Sequence, residues 1–183
     1  MNPTRQTYSV EVAGLERKLP LFEVAPGVRI AVFNMLGDTE FVQACAHALA
    51  EQLGQVSYDV LVTAEAKSIP LAHALSVEMR KPYVVLRKAY KPYMGVALME
   101  ETLSITTGRP QVLYLDEKDH ALLAGKRVVL LDDVISTGST LKGMLQIMER
   151  AGAEVAGSAA VFTEGPGDWS HVIALGNLPL FKD

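Results

Sequence analysis

Two adjacent carboxylates, Asp132 and Asp133, close the apolar run Val128-Val-Leu-Leu131, and a hydroxyl-rich loop, Ser136-Thr-Gly-Ser-Thr140, follows shortly after. A loop of this kind that enters a helix turns backbone N–H groups and the positive end of the helix dipole toward an anion, which suits a phosphate. Gly138 lets the backbone approach closely, and the hydroxyls of Ser136, Thr137, Ser139 and Thr140 add donors. The two acids would repel a phosphate at close range, whereas ribose hydroxyls, as hydrogen-bond donors, are natural partners for them. A sugar 5-phosphate meets both requirements, with its phosphate in the loop and its diol over the acids. A nucleotide P-loop does not fit, because Gly-Lys-Ser/Thr is absent and Lys142-Gly143 falls one turn into the expected helix. The plain alternative is a strand that ends in a solvated turn before an ordinary capped helix.

This chemistry needs a strand to deliver the acids and a helix to receive the loop. Arg127 to Leu131 reads as the clearest strand. A helix from about Ser139 to Ala151 follows, with Leu141, Met144, Leu145 and Met148 at helical spacing and Gly152 to end it. Upstream, Tyr8 to Val24 alternates in places and reads as a hairpin, Pro26-Gly27 as a turn, and Val28 to Phe33 as extended chain. Asp38 caps a helix that turns Phe41, Cys45, Ala48, Leu49 and Leu53 inward. Asp59 to Thr63 is a buried strand, and a helix from about Ser68 to Met79 carries Pro70 in its first turn. Pro82 to Arg87, Gln111 to Leu115, Val155 to Phe162 and Val172 to Leu175 are further strands, whereas Lys88 to Arg109 reads mostly as a mobile excursion. Alternating strands and helices imply an α/β domain with a largely parallel sheet and helices on both faces. In such sheets ligands bind at the carboxyl ends of the strands.

Residues 128–141 resemble the motif for phosphoribosyl pyrophosphate (PRPP) of type I phosphoribosyltransferases: an apolar strand, two acids and a Thr-Gly-x-Thr loop. The resemblance implies the fold of that family, a mainly parallel sheet flanked by helices with a small N-terminal hood. It implies one domain over residues 1–183, with about residues 1–35 contributing the hood. It further implies transfer of ribose 5-phosphate from PRPP to a nucleobase nitrogen through an oxocarbenium-like transition state, with release of pyrophosphate. Asp132 and Asp133 are implied at the ribose and at Mg2+, directly or through water, and Ser136, Thr137, Gly138, Ser139 and Thr140 at the 5-phosphate.

Thr63-Ala-Glu-Ala-Lys-Ser68 lies where the family places its pyrophosphate loop and looks like the Glu-Ala/Ser-Arg-Gly turn of the adenine branch. Ala66, Lys67 and Ser68 are thereby implied at PRPP, with a non-proline cis peptide between Ala66 and Lys67. Taken alone, the segment reads equally well as a helix cap. Leu86-Arg-Lys-Ala-Tyr-Lys-Pro92 resembles a basic segment of the same branch and implies Arg87, Lys88 and Lys91 as phosphate contacts, reaching a neighbouring subunit; taken alone it is a solvated basic edge. About Lys91 to Gly108 then corresponds to the family's catalytic flap, which would keep water from a reactive sugar cation.

Pro26 to Leu53 is also similar to the adenine branch, which puts adenine first as the base, read by a backbone carbonyl near Arg29 and Ile30. Two departures touch this side of the site. Ile30-Ala31-Val32 replaces the usual Phe-Arg/Lys-Asp, and Glu100-Glu101-Thr102 and Thr106-Thr107-Gly108 stand near where Glu-Tyr-Gly is usual. Xanthine, guanine, hypoxanthine or orotate are therefore rival bases, and a PRPP-sensing regulatory protein is a rival role.

The 183 residues carry a net charge of −4, which speaks against a nucleic-acid partner, and 49% are apolar, as a folded core requires. The single cysteine, Cys45, excludes an internal disulfide and reads as an inert core thiol. The start of the sequence has no apolar signal region, and no apolar run is long enough to span a bilayer, so no membrane partner and a cytoplasmic location are expected. The family resemblance implies a homodimer. The four histidines, at 47, 73, 120 and 171, show no metal-ligand spacing, and Trp169 reads as a hydrophobic anchor in a turn.

Overall fold

A computed structural model describes residues 5–103 and 110–182. Their elements, in chain order, are β1 (Thr7–Val12), β2 (Leu15–Ala25), β3 (Val28–Ala31), α1 (Thr39–Leu53), β4 (Val60–Ala64), α2 (Ile69–Met79) and β5 (Tyr83–Leu86). A 3-10 turn (Pro92–Met94) leads to β6 (Leu98–Leu103) and β7 (Pro110–Leu115), then α3 (His120–Leu123), β8 (Arg127–Ile135), α4 (Ser139–Arg150), β9 (Glu154–Glu164), β10 (Val172–Leu178) and β11 (Leu180–Lys182).

The main sheet is parallel throughout, in the order β10-β9-β8-β4-β5. Side chains alternate across each strand and supply two cores. Leu61, Val129, Leu131, Ala159 and Val161 pack with α1, α2 and the small sheet described below. Val60, Val62, Val128, Leu130 and Ala160 pack on the other face against α4, Leu123 of α3, and Leu113 and Leu115 of β7. Both faces are therefore covered, and β4 reads as an unbroken buried run rather than an alternating one.

Connectivity decides where a ligand can enter. Through α2, β4 leads to β5 on one side, while β8 leads through α4 to β9 on the other. The order in which strands are added reverses between the parallel neighbours β4 and β8, and their carboxyl ends flank the crevice there. Local chemistry starts the flanking helices as expected. The Asp38 carboxylate accepts the Phe41 N–H at 3.2 Å at the head of α1, and Pro70 occupies the first turn of α2.

Three features differ from the sequence reading. Segment 98–115 was expected as part of a mobile excursion and a single strand, yet β6 and β7 pair as an antiparallel hairpin. It lies on α4, where Gly143 makes room: a Cβ there would stand 2.8 Å from Thr102 Cγ2 and 3.2 Å from Leu113 Cδ1. The breakers Pro92 and Gly95 sit ahead of β6, so they end the excursion before the strand begins. The end of the expected flap, including Thr106-Thr107-Gly108, lies outside the described residues. Second, β8 continues four residues past Leu131, because Asp132, Val134 and Ile135 stay paired with Ala160, Phe162 and Thr163 of β9. Third, the small antiparallel sheet β1-β2-β3-β11 takes its last strand from the far end of the sequence, where Leu180 pairs with Ile30. Among the described residues no helix is long and apolar enough to cross a membrane.

Candidate active site

Because β8 remains extended through Ile135, its two neighbouring acids point to opposite faces of the strand. Asp132 lines a cavity of about 190 Å3 together with Gln111 and residues 134–141. Asp133 lines a larger cavity of about 870 Å3 with Lys67, Phe33 and Ile30. Lys67 Nζ stands 2.7 Å from Asp133 Oδ2, close in charge but not aligned as a hydrogen bond, and donates to the Phe33 carbonyl at 3.2 Å. Loss of hydration and then the charge of Asp133 push the Asp132 carboxyl up to about 7, while the Asp133 N–H, 2.9 Å from Asp132 Oδ1, and the Lys88 cation act the other way. A hard cation near this pair would relieve that opposition, and carboxylate oxygens are the ligands such a cation takes. No cluster of three or more His, Cys, Asp or Glu side chains occurs among the described residues, so further ligands would have to come from water or substrate.

The loop that follows opens α4. Gly138 is the N-cap of α4 at φ 74°, a left-handed conformation that favours glycine, and the first turn carries no acidic residue. Within the loop Thr137 Oγ1 lies 3.1 Å from Ser139 Oγ and accepts the Ser139 N–H at 3.4 Å, while Thr140 Oγ1 donates to Gln111 Oε1 at 3.4 Å. Trp169, read from the sequence as an anchor, sits directly behind this loop. Its Cη2 is 3.1 Å from where a Cβ on Gly138 would be.

Across the crevice, the turn after β4 contains a cis peptide between Glu65 and Ala66, one bond earlier than the resemblance implied. The Ser68 hydroxyl faces inward: it donates to the Ala64 carbonyl at 3.0 Å and lies 2.8 Å from Thr63 Oγ1, itself 2.8 Å from the Leu131 carbonyl. These contacts tie the turn to β4 and β4 to β8, leaving the Ser68 backbone rather than its side chain for a ligand. Glu65 organises the basic segment. It accepts a hydrogen bond from Arg87 Nε and the Lys88 N–H at 2.8 Å, and its carboxylate raises the Arg87 guanidinium pKa. Lys88 is exposed at the mouth, where its charge reaches Asp132.

The structure thus gathers Asp132, Asp133, Lys67 and residues 136–140, with Arg87 and Lys88 attached through Glu65. It does not bring in every residue expected. Lys91 is exposed beside the 3-10 turn and lines neither cavity. Ile30 lines the large cavity, but strand alternation sends the Arg29 side chain away, where Nη1 donates to Gln6 Oε1 at 2.6 Å. Glu164, residues 165–167 and Leu180 also line the large cavity, and the sequence reading named none of them. They come together because β11, paired with β3, begins against the end of β9, where a Cβ on Gly165 would stand 3.2 Å from Leu180 Cδ1.

Residues 34–174 match the family profile of the phosphoribosyl transferase domain. A hypoxanthine/guanine phosphoribosyltransferase of Methanococcus voltae is 38% identical over 109 residues, which is 60% of this chain and 54% of that protein. The chain therefore spans about half the length of that relative. An adenine phosphoribosyltransferase of Thermosipho africanus is 30% identical over 123 residues, 66% of this chain and 68% of that protein. Among solved structures, the adenine phosphoribosyltransferase of Thermoanaerobacter pseudethanolicus superposes with a TM-score of 0.68 over 94% of this chain and 95% of its own, at 20% identity, a likeness of fold.

Proposed function

The chain belongs to the phosphoribosyl transferase domain family, and from that premise we propose that it transfers ribose 5-phosphate from PRPP to a purine base with release of pyrophosphate. The observation that carries this reading is the crevice between β4 and β8, where two aspartates on opposite strand faces stand between a helix-opening loop and Lys67. In this reading residues 136–140 hold the 5-phosphate through the backbone N–H groups of the first turn of α4 and the loop hydroxyls. Asp132 and Asp133 accept the ribose hydroxyls and stabilise positive charge as the glycosidic bond breaks. Lys67, the backbone at 66–68, Arg87 and Lys88 hold the departing pyrophosphate. Lys91 reaches the ligand only from a neighbouring copy, as in a homodimer, or when its own loop ahead of β6 moves over the crevice.

Mg2+ carried in with PRPP fits the two carboxylates, directly or through water, and would neutralise pyrophosphate charge. The whole chain works as one domain in this reading, with the small sheet as the hood over the base. A cytoplasmic setting, where PRPP is made and used, completes it.

For the base there are two readings. Adenine is favoured by the order of three segments, Pro26-Gly27 to Phe41, Glu65 to Ser68 and Arg87 to Pro92, which is that of the adenine branch. Hypoxanthine or guanine is favoured by the 38% identity to a relative that bears their name. The test follows pyrophosphate release with PRPP, Mg2+ and adenine, guanine, hypoxanthine, xanthine or orotate, beside calorimetric titration with PRPP. Turnover with a purine and none with orotate is expected. PRPP binding without turnover on any base would favour a regulatory protein, and neither binding nor turnover would sink the reading.

A further inference from the structure

Glu164 is the last residue of β9, paired with Leu178 of β10 in the sheet ladder. It is 8% exposed, and its carboxylate makes no hydrogen bond or ion pair with any described residue. Its oxygens are not among the buried side-chain atoms without a partner, so they open onto the 870 Å3 cavity that Glu164 lines rather than into the core. The other ionic side chains lining that cavity, Lys67 after β4 and Asp133 on β8, stand 2.7 Å apart and neutralise each other's charge. Much of the remaining wall is apolar, with Val28, Ile30, Phe33 and Leu180, surfaces suited to the faces of a flat ring. Among the ionic side chains that line the cavity, Glu164 therefore has no charged partner, and its acceptors face the open space.

We propose that Glu164 reads the edge of the base and selects a purine that presents two adjacent N–H donors, as guanine does with N1–H and its 2-amino group. This rests on the reading of the cavity as the base site of a phosphoribosyltransferase. A carboxylate has two acceptor oxygens and pairs with two parallel donors at once. Hypoxanthine offers a single donor on that edge. Adenine sets a ring-nitrogen acceptor beside its amino donor, so one carboxylate oxygen would face a lone pair. Xanthine flanks its N1–H with carbonyls on both sides. The order guanine, hypoxanthine, then adenine and xanthine follows from this pairing.

Glu164→Gln keeps the size of the side chain and turns one acceptor into a donor, which matches adenine instead of guanine. The experiment measures kcat/KM for guanine, hypoxanthine and adenine in both proteins, with the KM for PRPP as the check on the other half of the site. In parallel, GMP and AMP are titrated calorimetrically, a readout that needs no turnover. The expected result is a guanine-over-adenine preference in the wild type that falls by more than about tenfold in Glu164→Gln, with the PRPP KM unchanged. Equal losses for every base, or a GMP-to-AMP affinity ratio that the substitution does not move, overturns the assignment of Glu164. Absence of pyrophosphate release with every base would instead sink the transfer reaction, and the nucleotide titration would still decide on Glu164.

Discussion

Asp132 faces Gln111 and the helix-opening loop, and Asp133 faces Lys67, so their amide variants should fail in different ways. Each should weaken PRPP binding by about 1.5–3 kcal/mol, the usual cost of losing a charge-assisted hydrogen bond. Only Asp133→Asn should interact with Lys67→Ala. A double-mutant cycle on PRPP affinity is expected to show more than about 0.5 kcal/mol of coupling for that pair and additivity for Asp132→Asn with Lys67→Ala. Equal coupling in both cycles would mean that the acids share one environment. Cys45 is a contrasting case. Its side chain has no solvent exposure, and burial pushes the thiol up to about 12. Ellman's reagent should leave it untouched in the folded protein and titrate it only after denaturation.

At the scale of elements, the hairpin of β6 and β7 depends on a missing side chain. A glycine inside a helix usually costs about 0.5–1 kcal/mol relative to alanine. At Gly143 the substitution should reverse sign, because a Cβ would stand 2.8 Å from Thr102 Cγ2. Gly143→Ala is expected to lose about 1–3 kcal/mol in urea denaturation through overpacking; a gain would place the hairpin elsewhere. Helices α1 and α2 are joined at the surface by His47 Nδ1 and Glu78 Oε1, 2.6 Å apart. Glu78 hydrogen bonding raises the pKa of His47 above its ordinary 6.5. The link therefore adds stability below pH 6.5 and loses it as pH rises through the raised folded value. Nuclear magnetic resonance titration should find the His47 midpoint raised in the wild type and lowered in Glu78→Gln.

At the scale of the molecule, the large cavity lies between the main sheet and a small sheet that borrows its last strand from residues 180–182. Leu180 lines the cavity while Phe181 packs edge-on against Tyr8 at 5.2 Å. Removing residues 180–183 should therefore raise the KM for the base more than about tenfold and leave PRPP affinity nearly unchanged, since the phosphate loop and Lys67 belong to the main sheet. A parallel loss of PRPP affinity would show that the two sheets are not separable in function.

The sequence by itself determined the strand, paired acids, glycine loop and helix at 127–150, because each depends on neighbours within a few residues: apolar runs, a capping position, a left-handed glycine. The cap of α1, the proline in α2 and the alternation that makes a parallel sheet were legible for the same reason. The tertiary structure decided what depends on pairing between distant segments. Partners on β9 keep β8 extended past Leu131 and so separate Asp132 from Asp133. Contact with α4 accompanies the pairing of β6, a stretch that reads as irregular, with the expected strand β7, and β11 crosses the length of the chain to complete the small sheet. Glu164 looks from the sequence like an ordinary polar residue at a strand end. It lines a cavity only because β9, β3 and β11 meet around it, and a local pattern carries no record of which distant strands will enclose a side chain.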